Sequence, residues 1–180
     1  PQGMRPSLYV RDDDYRMSFL TGSFITLSNM NEADIERIVR FHLSPLHVSV
    51  HTTNGELRKR MMRQEKTENI MAQLRRLTEN DIELYCQIVL VPGYNDGAEF
   101  TKTLHDLASL QPQVLGVAVV PLGTTKFRAG CKELKPVTKE IAADIIRRSR
   151  PFIEKGRKED TRKAQTPSSS PFLTSGRKCF

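Results

Sequence analysis

Side chains suited to holding a small polar ligand fall in three short stretches of this 180-residue chain. The first is Thr26, Ser28 and Asn29, which follows the acidic run Asp12, Asp13 and Asp14. The second is the alternating set His47, Ser49 and His51, and the third is Gln87 with the turn Pro92-Gly93-Tyr94-Asn95-Asp96. Hydroxyls, amides and imidazoles both donate and accept hydrogen bonds, and Gly93 lets the backbone itself approach a ligand. The four His and three Cys are scattered, no zinc spacing is present, and no Gly-rich phosphate loop occurs, so no metal site is proposed. Each stretch also has a plainer reading: an acidic turn before a buried strand, satisfied core histidines, and an ordinary tight turn.

The elements that must carry these residues alternate. Gly22 introduces a strand over 23–27, with Phe24 and Thr26 on one side and Ile25 and Leu27 on the other. Asn31 caps a helix that has Asp34 in its first turn and buries Ile35, Ile38 and Val39, and Ser44-Pro45 stops it. A strand over 46–52 follows, then Asn54-Gly55 and a basic helix over 56–63, read as a solvated face with Met61 and Met62 as packing. Thr67 caps a helix carrying Ile70, Met71, Leu74 and Leu77. Strands over 84–91 and 114–120 flank a helix over 97–110, and a last helix from about Thr138 buries Ile141, Ile145 and Ile146 until Pro151 kinks or ends it.

Repeated strand–helix alternation with short connections calls for an α/β fold, a parallel sheet with helices outside, either a (β/α) barrel or a doubly wound sheet. Strands buried on both faces of a parallel sheet are aliphatic throughout, and these are not. Leu46, Val48 and Val50 oppose His47, Ser49 and His51. Leu84, Cys86, Ile88 and Leu90 oppose Tyr85 and Gln87; Leu115, Val117 and Val119 oppose Gly116 and Ala118. One side suits cover helices. The other, polar or small, leaves a lumen for a ligand where a filled barrel would place branched bulk. His51, Gln87 and the 92–96 turn then fall at the carboxyl ends of strands, the rim at which such folds hold ligands.

The formal charge of +7 has a location. Ten basic and three acidic residues lie between Arg147 and Phe180, so residues 1–146 balance at eighteen of each sign. The folded part carries no footprint for nucleic acid, and any such association would run through the tail. From about Gly156 the chain turns Lys/Arg-rich and then Ser/Pro-rich, the composition of a disordered basic tail. Three unpaired-looking cysteines, Cys86, Cys131 and Cys179, fit a reducing, cytoplasmic setting, and no run is long enough for a membrane span.

The chain resembles the radical S-adenosylmethionine proteins that join a PDZ-like domain, a radical enzyme core and a C-terminal domain of unknown function 512. The likeness rests on Gly3-Met4-Arg5, on Asp12-Asp13-Asp14-Tyr15-Arg16-Met17-Ser18-Phe19-Leu20 and on Gly22-Ser23-Phe24-Ile25-Thr26-Leu27-Ser28-Asn29. It continues through Leu43-Ser44-Pro45-Leu46-His47-Val48-Ser49-Val50-His51-Thr52, residues 87–96 and Val117-Ala118-Val119-Val120-Pro121-Leu122-Gly123. The resemblance implies a partial, TIM-like (β/α) barrel over residues 1–125, the helical start of a C-terminal domain over 126–155 and the tail over 156–180. It further implies S-adenosylmethionine as small-molecule cofactor and, in the parent family, a [4Fe-4S] cluster that converts it to a 5′-deoxyadenosyl radical. Thr26, Ser28 and Asn29 would lie by the cofactor's amino group, and Ser49, His51, Gln87, Gly93, Asn95 and Asp96 by its ribose, carboxylate and adenine. The family's cluster motif, Cys-x3-Cys-x2-Cys, does not occur in this sequence. The expectation is therefore a fragment of a radical enzyme without its own cluster chemistry, the odd tail reflecting an incomplete or frameshifted reading. A cluster-free barrel that binds the cofactor without catalysis is the alternative.

Overall fold

The computed structural model describes residues 14–64, 69–123 and 133–165; Thr67, Cys131, Cys179 and the acidic pair Asp12 and Asp13 lie outside them. The first element is a helix that sequence reading missed, α1 (Tyr15–Thr21). The Asp14 carboxylate accepts from the Arg16 backbone N–H at 2.9 Å, and Gly22 ends the helix in the left-handed region at φ 73°. Gly22 is thus a helix stop before it is a strand start. A Cβ there would also come within 3.4 Å of the His47 ring.

The strand expected over 23–27 contracts to a single parallel bridge between Ile25 and Val48. Ile25 N–H donates to the His47 carbonyl at 2.9 Å and Ser49 N–H to the Ile25 carbonyl at 2.7 Å. Leu27 then takes φ 59°, outside the β region, so pairing cannot continue. The capping box expected at Asn31 and Asp34 is present and opens α2 (Glu32–Arg40), with Ile35 and Ile38 buried.

Next come β1 (Leu46–Ser49), α3 (Gly55–Met62), α4 (Ile70–Thr78), β2 (Leu84–Leu90), α5 (Gly97–Ala108), β3 (Val114–Pro121) and α6 (Lys139–Gln165). The strands form a three-stranded parallel sheet in the order β1-β2-β3, with His47 beside Tyr85 and Ser49 beside Gln87. Gln87 in turn pairs with Ala118. Strand β1 stops at Ser49, earlier than its composition suggests, because His51 adopts φ 63° and turns the chain out of the sheet.

The two faces differ as the alternation predicts. Leu46, Val48, Leu84, Cys86 and Ile88 are buried, as are Ile35, Ile38, Leu74, Leu77, Phe100 and Leu107 from the helices. Opposite them, Tyr85 and Ala118 are exposed and Gln87 is half-buried. Strand β3 is the weaker case. A register shift at Leu84/Tyr85 leaves Leu115 44% exposed, away from the buried side expected for it. On α6, Ile145 is buried but Ile146 is 61% exposed, and the helix runs past Pro151 to Gln165 instead of ending there. Proline removes one N–H from the ladder, which a helix can lose and still continue. Residues to Ser149 make one compact unit and those from Arg150 another.

The face assignment has a direct test. Phe100→Ala should cost about 3–5 kcal/mol in urea unfolding, whereas Leu115→Ser should stay within about 0.5 kcal/mol of the parent. Equal losses would mean that both faces are packed.

Candidate functional site

The end of β1 and the segment just after the Ile25 bridge are tied together by Arg58, the basic residue that composition placed on a solvated helix face. It is fully buried. Its Nε donates to the Val50 carbonyl at 2.9 Å, and its Nη2 donates to the Thr26 carbonyl at 2.7 Å and the Ser49 carbonyl at 3.0 Å. A planar guanidinium with several fixed donors can serve three divergent carbonyls; an ammonium on a thinner stem could not hold the same fork. Helix α3 aims it there because Asn54 caps the helix, its side chain accepting from Leu57 N–H at 3.2 Å.

Several of the expected ligand residues make separate pairs on this side of the sheet. The hydroxyls of Thr26 and Ser28 are 2.8 Å apart. Ser49 Oγ donates to Gln87 Oε1 at 3.2 Å, joining β1 to β2 on the open face. His51 Nδ1 accepts from Val89 N–H at 3.3 Å, which puts the proton of the neutral ring on Nε2. Burial, with Arg58 adding a positive charge nearby, pulls the His51 pKa down to about 4, so the ring is neutral at pH 7.

Asn95 has another task. It is buried, its amide nitrogen donates to the His51 and Val89 carbonyls at 2.8 and 2.9 Å, and its oxygen accepts from Val91 N–H at 2.8 Å. Both hydrogens of its amide and one lone pair of its oxygen go to backbone. Asn95 therefore clamps the end of β1 to the end of β2. Gly93, at φ 79°, has open space where a side chain would be, and Asp96 stands at the start of α5 without making a side-chain cap. Asn29 is exposed beside Ser28.

His47 belongs to the other end of the sheet. Its ring stacks on Tyr85 at 5.0 Å between centroids and meets Phe24 edge-on at 5.4 Å. Beyond His51 the chain is pinned to α5: Thr52 Oγ1 donates to Glu99 at 2.7 Å, Asn54 to the same carboxylate at 3.3 Å and Thr53 to Asp106. Burial pushes the Asp106 carboxyl up, but hydrogen bonds from Lys102 and Thr53 outweigh it and hold the group below its ordinary value.

A family profile described as a radical SAM-like domain matches residues 1–117. The chain belongs to that family. Among solved structures, it is similar to a domain of a pyruvate-formate lyase-activating enzyme from Bacteroides vulgatus, at 16% identity and TM-score 0.56, over 72% of this chain and 75% of that one. It is also similar to a radical SAM methyltransferase from Sphaerobacter thermophilus, at 24% identity and TM-score 0.44, where it spans 71% of itself but 36% of that chain. The first likeness supports the fold alone. No curated protein matches. Within this radical SAM-like domain the described cysteine is Cys86, buried on the aliphatic face with its thiol pushed up to about 12. Among the described residues no group of His, Cys, Asp or Glu could hold a metal ion.

Two outcomes follow from these bonds. Arg58→Met, which leaves buried carbonyls without a donor, should lower stability by about 1–3 kcal/mol in denaturant unfolding. For His51, whose native pKa lies below its unfolded value of 6.5, the unfolded chain takes up the proton first as pH falls. Its contribution is complete above pH 6.5 and is lost between there and about 4, to a limit of about 3 kcal/mol. His51→Asn keeps a residue tolerant of positive φ, so the gap between parent and variant stability should narrow across that window. A gap that stays constant with pH would show that His51 does not titrate this way.

Proposed function

We propose that this chain is the core of a radical S-adenosylmethionine enzyme and that the residues around Arg58 hold the cofactor. One observation supports the reading: the main chain at Thr26, Ser49 and Val50 meets on the buried Arg58 guanidinium, and the Ser49 hydroxyl reaches across to Gln87 on the neighbouring strand. The bridge at Ile25, then β1, β2 and β3, follow one another across the sheet in chain order and all run parallel. A doubly wound sheet reverses its order at the point where ligand binds; this run has no such reversal, and unbroken succession supports a partial (β/α) barrel. The open face then lines its lumen.

In this reading the Thr26 and Ser28 hydroxyls meet the amino group of the methionine moiety, and Gln87 and His51 Nε2 supply hydrogen bonds to ribose or carboxylate. Arg58 places a fixed positive charge beneath them, which favours the carboxylate end of the ligand over its sulfonium. The turn at Gly93 lets backbone approach the adenine, with Asp96 and Asn29 at the margins and Asn95 as a positioning residue. Given one electron from a cluster of the kind family members carry, the bound cofactor would supply a 5′-deoxyadenosyl radical for hydrogen abstraction, with methionine as the leaving group. The cluster that family members carry needs exposed thiolates, and Cys86, buried with a raised pKa, does not fit it. The chain's own residues thus bind and orient cofactor; cluster ligation does not come from Cys86.

The motif run from Gly3 to Gly123 supports the subfamily with PDZ-like and 512 domains, with boundaries near 125 and 155. The scattered cysteines support a reducing compartment. No helix of the described residues is long and apolar enough to cross a membrane.

Calorimetry with S-adenosylmethionine on this chain should show binding, and Gln87→Leu or Ser49→Val should weaken it about tenfold, the worth of one well-made hydrogen bond. An absence of heat with the parent chain would sink the assignment.

A further inference from the structure

Helix α4 also sends a side chain to the edge of the sheet that Arg58 ties. Its apolar positions Ile70, Leu74 and Leu77 are buried, and Gln73 on the same helix donates from Nε2 to the Leu27 carbonyl at 3.1 Å. The preceding carbonyl, that of Thr26, accepts from Arg58 Nη2 at 2.7 Å. Consecutive carbonyls are thus bound by side chains from two different helices, and Leu27 is buried and holds φ 59°. In an extended strand, side chains two residues apart leave the backbone about 7 Å from each other. The turn at Leu27 instead brings the Thr26 and Ser28 hydroxyls within 2.8 Å.

Folding alone is a poor account of Gln73. The Leu27 carbonyl requires a donor, so the amide nitrogen faces it and the amide oxygen is turned away. That oxygen, Oε1, is buried and has no hydrogen-bond partner among the described residues. A buried acceptor left unmet costs more than a neutral hydrogen bond returns. A methionine of similar length would fill the same space without an unmet oxygen. The Leu27 carbonyl would still have the Met30 N–H at 3.5 Å.

We propose that Gln73 is a positioning residue for the amino-acid end of S-adenosylmethionine. It holds the left-handed turn at Leu27, and that turn sets the shape in which residues 26–28 meet the methionine moiety. The assignment rests on the cofactor reading above and adds to it a helix residue that touches no ligand itself. A leucine kept at positive φ relaxes when its neighbours stop determining it. Loss of the Gln73 bond therefore loosens the 26–28 segment, while the apolar face of α4 stays packed.

Gln73→Met separates this role from a purely structural one, because affinity and stability should move differently. Calorimetry should show S-adenosylmethionine binding about tenfold weaker than in the parent chain. The urea midpoint should stay at the parent value, since relief of Oε1 and loss of one bond oppose each other. Binding of 5′-methylthioadenosine, which keeps the adenosine and lacks the amino-acid end, should change by less than about twofold. An unchanged S-adenosylmethionine affinity would overturn the role, as would equal losses for the two ligands or a midpoint that falls along with affinity. Each of those results leaves the cofactor reading standing, whereas a parent chain that binds no S-adenosylmethionine defeats both.

Discussion

A buried guanidinium whose donors end on main-chain carbonyls is the constraint from which the rest of this fold's functional edge follows. Strand ends in a parallel sheet leave carbonyls with no neighbour in the ladder, and burying them unmet costs free energy. Arg58 meets three such carbonyls at once, at Thr26, Ser49 and Val50. Desolvating the charge is itself costly, so the arrangement holds only because each donor finds an acceptor at a normal distance. The consequence reaches beyond stability. Those carbonyls are tied to one point, and Asn95 joins the His51 carbonyl to the end of β2 through its amide hydrogens. The rim is rigid because its backbone is satisfied from beneath by side chains.

The sheet supplies the second half of the argument. A parallel sheet with both faces covered would show aliphatic residues throughout, whereas here Tyr85 and Ala118 remain exposed opposite a packed face of Leu46, Leu84 and Ile88. Placing Ser49, Gln87 and Ala118 in one row across three strands gives a hydroxyl, an amide and a methyl where packing would want Val or Leu. Such a row contributes little to folding. It is suited to a ligand that brings its own apolar and polar surface.

Much of this was legible in the chain. The period-two pattern of the strand at 84 separated buried from more open positions, whereas in the strand at 46 Ser49 on the open side is itself buried. Asn31 and Asp34 announced their helix through a local motif. What failed, failed for lack of local signal. Arg58 sits in a run with Lys59, Arg60 and Arg63, and no feature of that run distinguishes the buried guanidinium from the solvated ones; only the tertiary placement of three carbonyls does. Asp14 and Gly22 did carry a cap and a stop for α1, but the three consecutive carboxylates drew attention to charge instead of capping. For Asn95, the sequence showed a turn amide but no sign of its bonds to backbone at His51, Val89 and Val91, which depend on tertiary placement. On Ile146 and Leu115, apolar type predicted burial, and the helix phase and a register shift decided otherwise.

Backbone strain falls partly at this edge. Of the five non-glycine residues with positive φ among the described residues, Leu27 and His51, at 59° and 63°, lie here, and His42, Arg63 and Asp81 lie elsewhere. Each such residue costs on the order of 1 kcal/mol or more, and it persists only where surrounding bonds determine it. Both flank the carbonyls that Arg58 binds. The Leu27 carbonyl accepts from Gln73 at 3.1 Å and the His51 carbonyl from Asn95 at 2.8 Å, so side chains hold both distortions in place. A fold with nothing to bind there could relax either residue into the strand region and lengthen its ladder. Regular pairing thus ends at the same edge on two neighbouring segments, after the Ile25 bridge and after Ser49.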